Sequence, residues 1–177
     1  MFNRFCSTAF DQATWKVAKN VRDGSFACTV NSVPEMIMNG GYLAYNSTRY
    51  TSDGETFADL PPMPPGLFSH CVVALDGNDL FVTGGYTYLD YYGQYLGSVD
   101  SSKSFLYHSD TMEWEEIQDI PTPRLSLMCA MVHNINGGQD VITAGGYDDK
   151  RFNYDQDLDL VEIYNLQTGQ WRTGQSM

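Results

Sequence analysis

The densest cluster of chemically useful side chains in this sequence is aromatic: Tyr86, Tyr88, Tyr91, Tyr92 and Tyr95 all lie within YTYLDYYGQY. A phenol offers a large rigid surface and a polar tip at small entropic cost, which is the chemistry of gripping another protein. Two kinds of basic residue could complement it. Arg22 and Arg124 each stand shortly before an apolar run and could hold a carboxylate through both arms of the guanidinium. Lys150 and Arg151 sit among acids in YDDKRFNYDQDLD at 147–159. There Asp155, Asp157 and Asp159 alternate as at the start of a calcium loop, but Leu160 and Leu166 fall where such a loop needs Gly and Glu. An EF-hand is excluded, and the stretch reads as a solvated acidic loop. His70, His108 and His133 are unequally placed and form no triad with a Ser or Cys nucleophile. The expectation is therefore a binding protein without catalytic residues, metal or cofactor.

Composition bounds the partners. With 42% apolar and 14% aromatic residues, 177 residues suffice for a buried core in one domain. The 22 acidic residues outnumber the 10 basic ones and give a formal charge of -12, which repels a phosphate backbone; nucleic acid is not an expected partner. No run approaches the roughly 18 apolar residues of a membrane span, and MFNRFCSTAFDQ lacks the apolar stretch of a signal peptide. The chain reads as soluble, with a cytoplasmic location favoured over an extracellular one, so the sequon Asn46-Ser47-Thr48 is taken as chance. Four cysteines match no zinc spacing. Cys28, Cys71 and Cys129 fall at matching places in three apolar runs, which favours small buried side chains over redox or metal duty; for Cys6, which has no counterpart, a disulfide stays open.

The elements that must position these residues are strands. Glycines, prolines and short β-branched or aromatic runs predict many short strands joined by tight turns, and no segment carries a long helical period. An internal repeat organises them. MIMNGG, LFVTGG and VITAGG end in the pairs Gly40-Gly41, Gly84-Gly85 and Gly145-Gly146. Each follows another apolar run and a hairpin-like turn. After each pair come two aromatics seven residues apart: Tyr50 and Phe57, Tyr107 and Trp114, Tyr164 and Trp171. A constant interval beside loops of variable length marks a structural unit. The unit is strand A, turn, strand B ending in Gly-Gly, loop, strand C with Tyr, turn, strand D with Trp or Phe. Four antiparallel strands make one blade, with segment 86–103 as a loop inserted between strands B and C.

This constellation resembles the kelch repeat, over residues 10–177. The resemblance implies an all-β fold, a fragment of a kelch-type β-propeller built of four-stranded antiparallel blades. The blades are placed at 21–60, 61–119 and 120–177, with 1–20 as the end of a preceding one. Phe57 stands for the usual Trp, and Gly66 stands where Arg22 and Arg124 stand. The doublets are 44 and 61 residues apart against a period of about 50. Three blades fall short of a closed ring, so self-association is expected of the isolated chain. The resemblance further implies protein or peptide binding through the B-to-C and D-to-A connections of one edge, in a setting such as ubiquitin-ligase substrate recognition or cytoskeletal binding. On that edge Tyr88, Tyr91, Tyr92, Tyr95, Arg22, Arg124, Lys150 and Arg151 are the candidate contacts. An extracellular binding protein, or part of a kelch-like enzyme such as a copper-radical oxidase, is the alternative.

Overall fold

The structure, a computed structural model, describes residues 25–30, 34–39, 48–51, 56, 58–91, 94–148 and 157–177. The predicted units form three four-stranded antiparallel sheets. The first runs β1 (Ser25–Val30), β2 (Pro34–Asn39), β3 (Thr48–Thr51), β4 (Ala58–Leu60). The second takes β5 (Cys71–Ala74), β6 (Leu80–Thr83), β9 (Ser104–His108) and β10 (Glu113–Ile117), and the third β11 (Met128–His133) to β14 (Gln170–Thr173) through β12 (Gln139–Ala144) and β13 (Val161–Asn165). The remaining strands, β7 (Tyr86–Tyr91) and β8 (Gln94–Asp100), form a two-stranded sheet inserted between β6 and β9. The first strands lie side by side, with β5 beside both β1 and β11.

Alternation along each strand gives the second sheet two apolar faces, as a blade between two neighbours requires. Leu80 and Val82 of β6 join Met63, Leu67, Val72, Phe105 and Tyr107 in one core, which also receives Leu60 from the first sheet. Phe81, between them, turns the other way, into a core with Val141 and Tyr164 of the third sheet. Each such side chain contributes about 2 to 3 kcal/mol of burial.

The repeated aromatics are interlocks between neighbours. Tyr107 and Trp114 stand opposite each other with ring centroids 5.1 Å apart, and so do Tyr164 and Trp171. Trp114 Nε1 donates to the Pro61 carbonyl, immediately after β4, at 2.9 Å; Trp171 Nε1 donates to the Gln118 carbonyl, immediately after β10, at 2.9 Å. Each outer-strand indole thus holds the chain leaving the previous sheet.

Three details of the repeat are corrected by register. Tyr107 and Tyr164 pair with residues four places before a doublet, Leu80 and Val141, whereas Tyr50 pairs with Ile37, three places before Gly40. Ala58, not Phe57, stands opposite Tyr50; Phe57, Gly40 and Gly41 lie outside the described residues. Paired backbones place Phe68 opposite Tyr86 and Leu125 opposite Tyr147, so Leu67 and not Gly66 is the counterpart of Arg124. The cysteines do not match either. Cys71 pairs with Thr83, one place before a doublet, Cys129 with Thr143, two places before, and Cys28 with Met36, four places before.

Candidate functional site

The edge that carries the B-to-C and D-to-A connections is built by the glycine doublets. Gly84, Gly85, Gly145 and Gly146 all have positive φ, from 64° to 99°, a region side chains disfavour. They turn the chain so that the residue after each doublet pairs with the connection entering strand A of the same sheet. Phe68 N–H donates to Tyr86 O at 3.1 Å and Tyr86 N–H to Phe68 O at 2.8 Å; Leu125 and Tyr147 exchange the same two bonds at 3.0 and 2.9 Å. The edge also crosses between sheets, because Gly85 N–H donates to Arg124 O at 2.8 Å and Ser126 N–H to Ser69 O at 2.9 Å.

On this foundation stands the tyrosine segment, and it is not a loop. It is a β-hairpin with register Tyr86↔Asp100, Tyr88↔Ser98, Asp90↔Tyr95 and Tyr91↔Gln94, shifted between Leu89 and Asp90. The aromatic and β-branched residues of YTYLDY suit a strand, although strict alternation holds only over Tyr86-Thr87-Tyr88. Its root is fixed: the Phe68 and Tyr86 rings lie 5.0 Å apart, and Ser101 N–H donates to Gly85 O at 2.7 Å. Beside the root, Lys103 pairs with Glu116 and lies 3.6 Å from Asp119; the Glu116 hydrogen bond and the Asp119 charge raise its pKa. Tyr88, Tyr91 and Tyr95 belong to the two strands, but their side chains, like Tyr92, Arg22, Lys150 and Arg151 entirely, lie outside the described residues.

Arg124 is brought to the edge but points inward, which corrects its reading as a carboxylate grip. Its side chain is 0% exposed and pairs with Glu162, 3% exposed as a residue. Its Nε donates to Gly145 O at 2.9 Å, Nη1 to Thr122 O at 3.1 Å and Nη2 to Thr143 Oγ1 at 2.8 Å. Thr122 Oγ1 donates to the other Glu162 oxygen at 3.0 Å, and Thr143 Oγ1 to the Glu162 carbonyl at 2.9 Å. A guanidinium so occupied fastens the third sheet to its own entry loop.

His70 lies beneath the hairpin root, against Gly85, and is buried. Burial lowers its pKa from 6.5 to about 4, against a hydrogen bond with the Leu67 backbone that raises it. The folded state therefore binds fewer protons than the unfolded state between these values. The His70 contribution to stability is full above pH 6.5 and falls by about 3 kcal/mol as the pH drops to 4. Leu127 occupies the equivalent place in the third sheet, two residues after Leu125 as His70 is after Phe68. Denaturation followed across pH 4–7 should show this loss in the native chain and a flatter profile in His70→Leu.

The other edge holds a cleft of about 280 Å³ lined by residues including Leu75, Asp76, Asp79, Gln139 and Leu166. Its carboxylates are engaged: Asp76 with His133 at 2.9 Å and Gln139 at 3.0 Å, Asp79 with the Ser109 N–H at 2.8 Å. Among the described residues, no His, Cys, Asp and Glu gather in a group of three or more able to hold a metal ion.

Sheets of this order, leaning face to face with their first strands side by side, define part of a β-propeller, a scaffold that displays loops from one edge. Its third blade is of the kelch type. The family model described as Kelch motif matches residues 129–177. The solved structure of YjhT has the same fold, with a TM-score of 0.70 and 16% sequence identity over 89% of this chain. The chain spans 52% of that structure's length. Nothing among curated proteins matches the sequence.

Proposed function

We propose that this chain is a protein-binding module, not an enzyme, and that the β7–β8 hairpin is its contact element. The supporting observation is that the tyrosine-rich insertion is a paired hairpin rooted on the glycine edge by backbone bonds at Phe68, Gly85 and Ser101. A rigid root lowers the entropy lost when aromatic side chains dock. The hairpin carries Asp90 and Asp100 and no Lys or Arg, on a chain of charge -12, so its partner is a protein or peptide with a basic surface. An extracellular binding protein is a setting in which such a contact would serve.

Self-association belongs to the same reading. Met128, 69% exposed, has the register place that Cys71 has in the second sheet, and so faces away from that sheet, where a further blade would stack.

The test is quantitative capture from extracts of the source cells with the native chain and with a Tyr88→Ser/Tyr91→Ser/Tyr95→Ser variant. A basic partner held by the native chain should be lost on the order of tenfold or more from the variant, with the unfolding midpoint unchanged. Equal capture by both chains would refute the assignment.

A further inference from the structure

We propose that Cys71 and Cys129 form a disulfide joining the second and third blades, and that the protein acquires its folded form in a compartment that oxidises thiols. The two sulfurs are bonded in the structure, with the Cα atoms 6.0 Å apart, inside the range a disulfide spans without backbone movement. Register explains why they meet. Cys71 lies one place before its doublet in pairing terms and Cys129 two places before, so the two side chains project from opposite faces of their strands. Adjacent blades stack face to face, and residues at identical places point the same way around the ring. Only a one-residue offset turns one cysteine forward and the other back into the shared interface.

The surroundings fit a permanent bond. Ile120, Leu127 and Trp171 pack around the pair, and Cys71 is buried. Among the described residues no third His, Cys, Asp or Glu joins them to make a metal-holding group. Neither cysteine is dictated by the scaffold: Cys129 has Val72 as its counterpart in the second sheet, and Cys71 has Met128 in the third. Val72, buried at the counterpart of Cys129, shows that an apolar residue suffices there.

The chemistry is thiol–disulfide exchange with a disulfide-bearing oxidoreductase. One thiolate attacks the oxidant's disulfide, and the second displaces the mixed disulfide. An S–S bond forms here as one breaks in the oxidant; two thiols lose two protons and two electrons, and the oxidant becomes a dithiol. Such bonds persist in secreted, luminal and periplasmic proteins and are rare in a reducing cytosol. On this proposal the two cysteines do more than fill space, and an oxidising location takes the place of the cytoplasmic one.

The experiment is disulfide mapping on the protein taken from its source cells, with free thiols blocked by N-ethylmaleimide during acid quenching, followed by proteolysis without reductant and mass spectrometry. A linked peptide pair carrying Cys71 and Cys129 is expected, at a stoichiometry above about nine molecules in ten. N-ethylmaleimide on both cysteines, or Cys71 linked to a different cysteine, would overturn the proposal. A Cys71→Ala/Cys129→Val chain, which takes its second residue from the equivalent place in the other sheet, should fold and lose that linked pair. None of these outcomes depends on the hairpin's partner.

Discussion

Glu162→Ala should lower the stability of the folded chain by about 3 to 5 kcal/mol, because it leaves the fully buried Arg124 guanidinium facing a cavity. The informative variant is the double one. Register gives the counterparts of Arg124, Thr143 and Glu162 in the second sheet as Leu67, Val82 and Phe105, all buried in one apolar core. The same corner of the blade is therefore built once with an ion pair and once with hydrocarbon. Replacing a buried pair by apolar residues of similar volume is often neutral or stabilising, since the desolvation cost of both charges vanishes with their attraction. Arg124→Met/Glu162→Leu should accordingly recover part of what Glu162→Ala loses, with Gly145 O, Thr122 O and Thr143 Oγ1 each giving up one donor at a cost of about 1 kcal/mol. Urea midpoints of the native chain, the single variant and the double variant decide the matter. A double variant as unstable as the single would mean that Arg124 does something at this edge that hydrocarbon cannot replace.

That pair shows where reading the sequence stops. The position of Arg124 before an apolar strand is legible, but its direction is not, because Leu67 at the equivalent place reveals only after pairing is known that the site is interior. The cysteines fail for a related reason. Linear position within a strand looks equivalent to within a residue, yet one residue reverses the face, and the face decides whether two sulfurs meet. The Tyr50 and Phe57 interval of seven copies the intervals at Tyr107–Trp114 and Tyr164–Trp171, but β3 and β4 pair as Tyr50↔Ala58, so equal spacing does not mean equal register. The hairpin is hidden for another reason: YTYLDY alternates only over its first three residues, and the repeat reserves a loop at that place. What the sequence carries plainly are the glycine doublets and the aromatic pairs of the second and third units; the indole bonds to the previous sheet appear only in the structure.

The doublet supplies the sharpest test, in Gly85→Ala. At φ of 86° a methyl group there would sit 2.6 Å from Phe68 O and 2.8 Å from the His70 Cα, both backbone atoms of the connection entering the same blade. Neither can rotate aside as a long side chain would, so relief requires breaking the Phe68–Tyr86 backbone pair or the Gly85 bond to Arg124 O that joins two blades. Gly77→Ala is the control. Its φ of 84° imposes the same conformational strain, about 1 to 2 kcal/mol, with nothing within 4 Å of the new methyl. The difference between the two variants is thus the steric part alone, expected at about 2 to 3 kcal/mol beyond the shared strain. Equilibrium unfolding measures the difference, and amide exchange should locate it, with Tyr86 and Ser126 losing protection together because their bonds form one strip across the blade boundary. If both alanine variants lost the same stability, the doublets would be conformational punctuation only, and the edge would owe its rigidity to something other than close backbone approach.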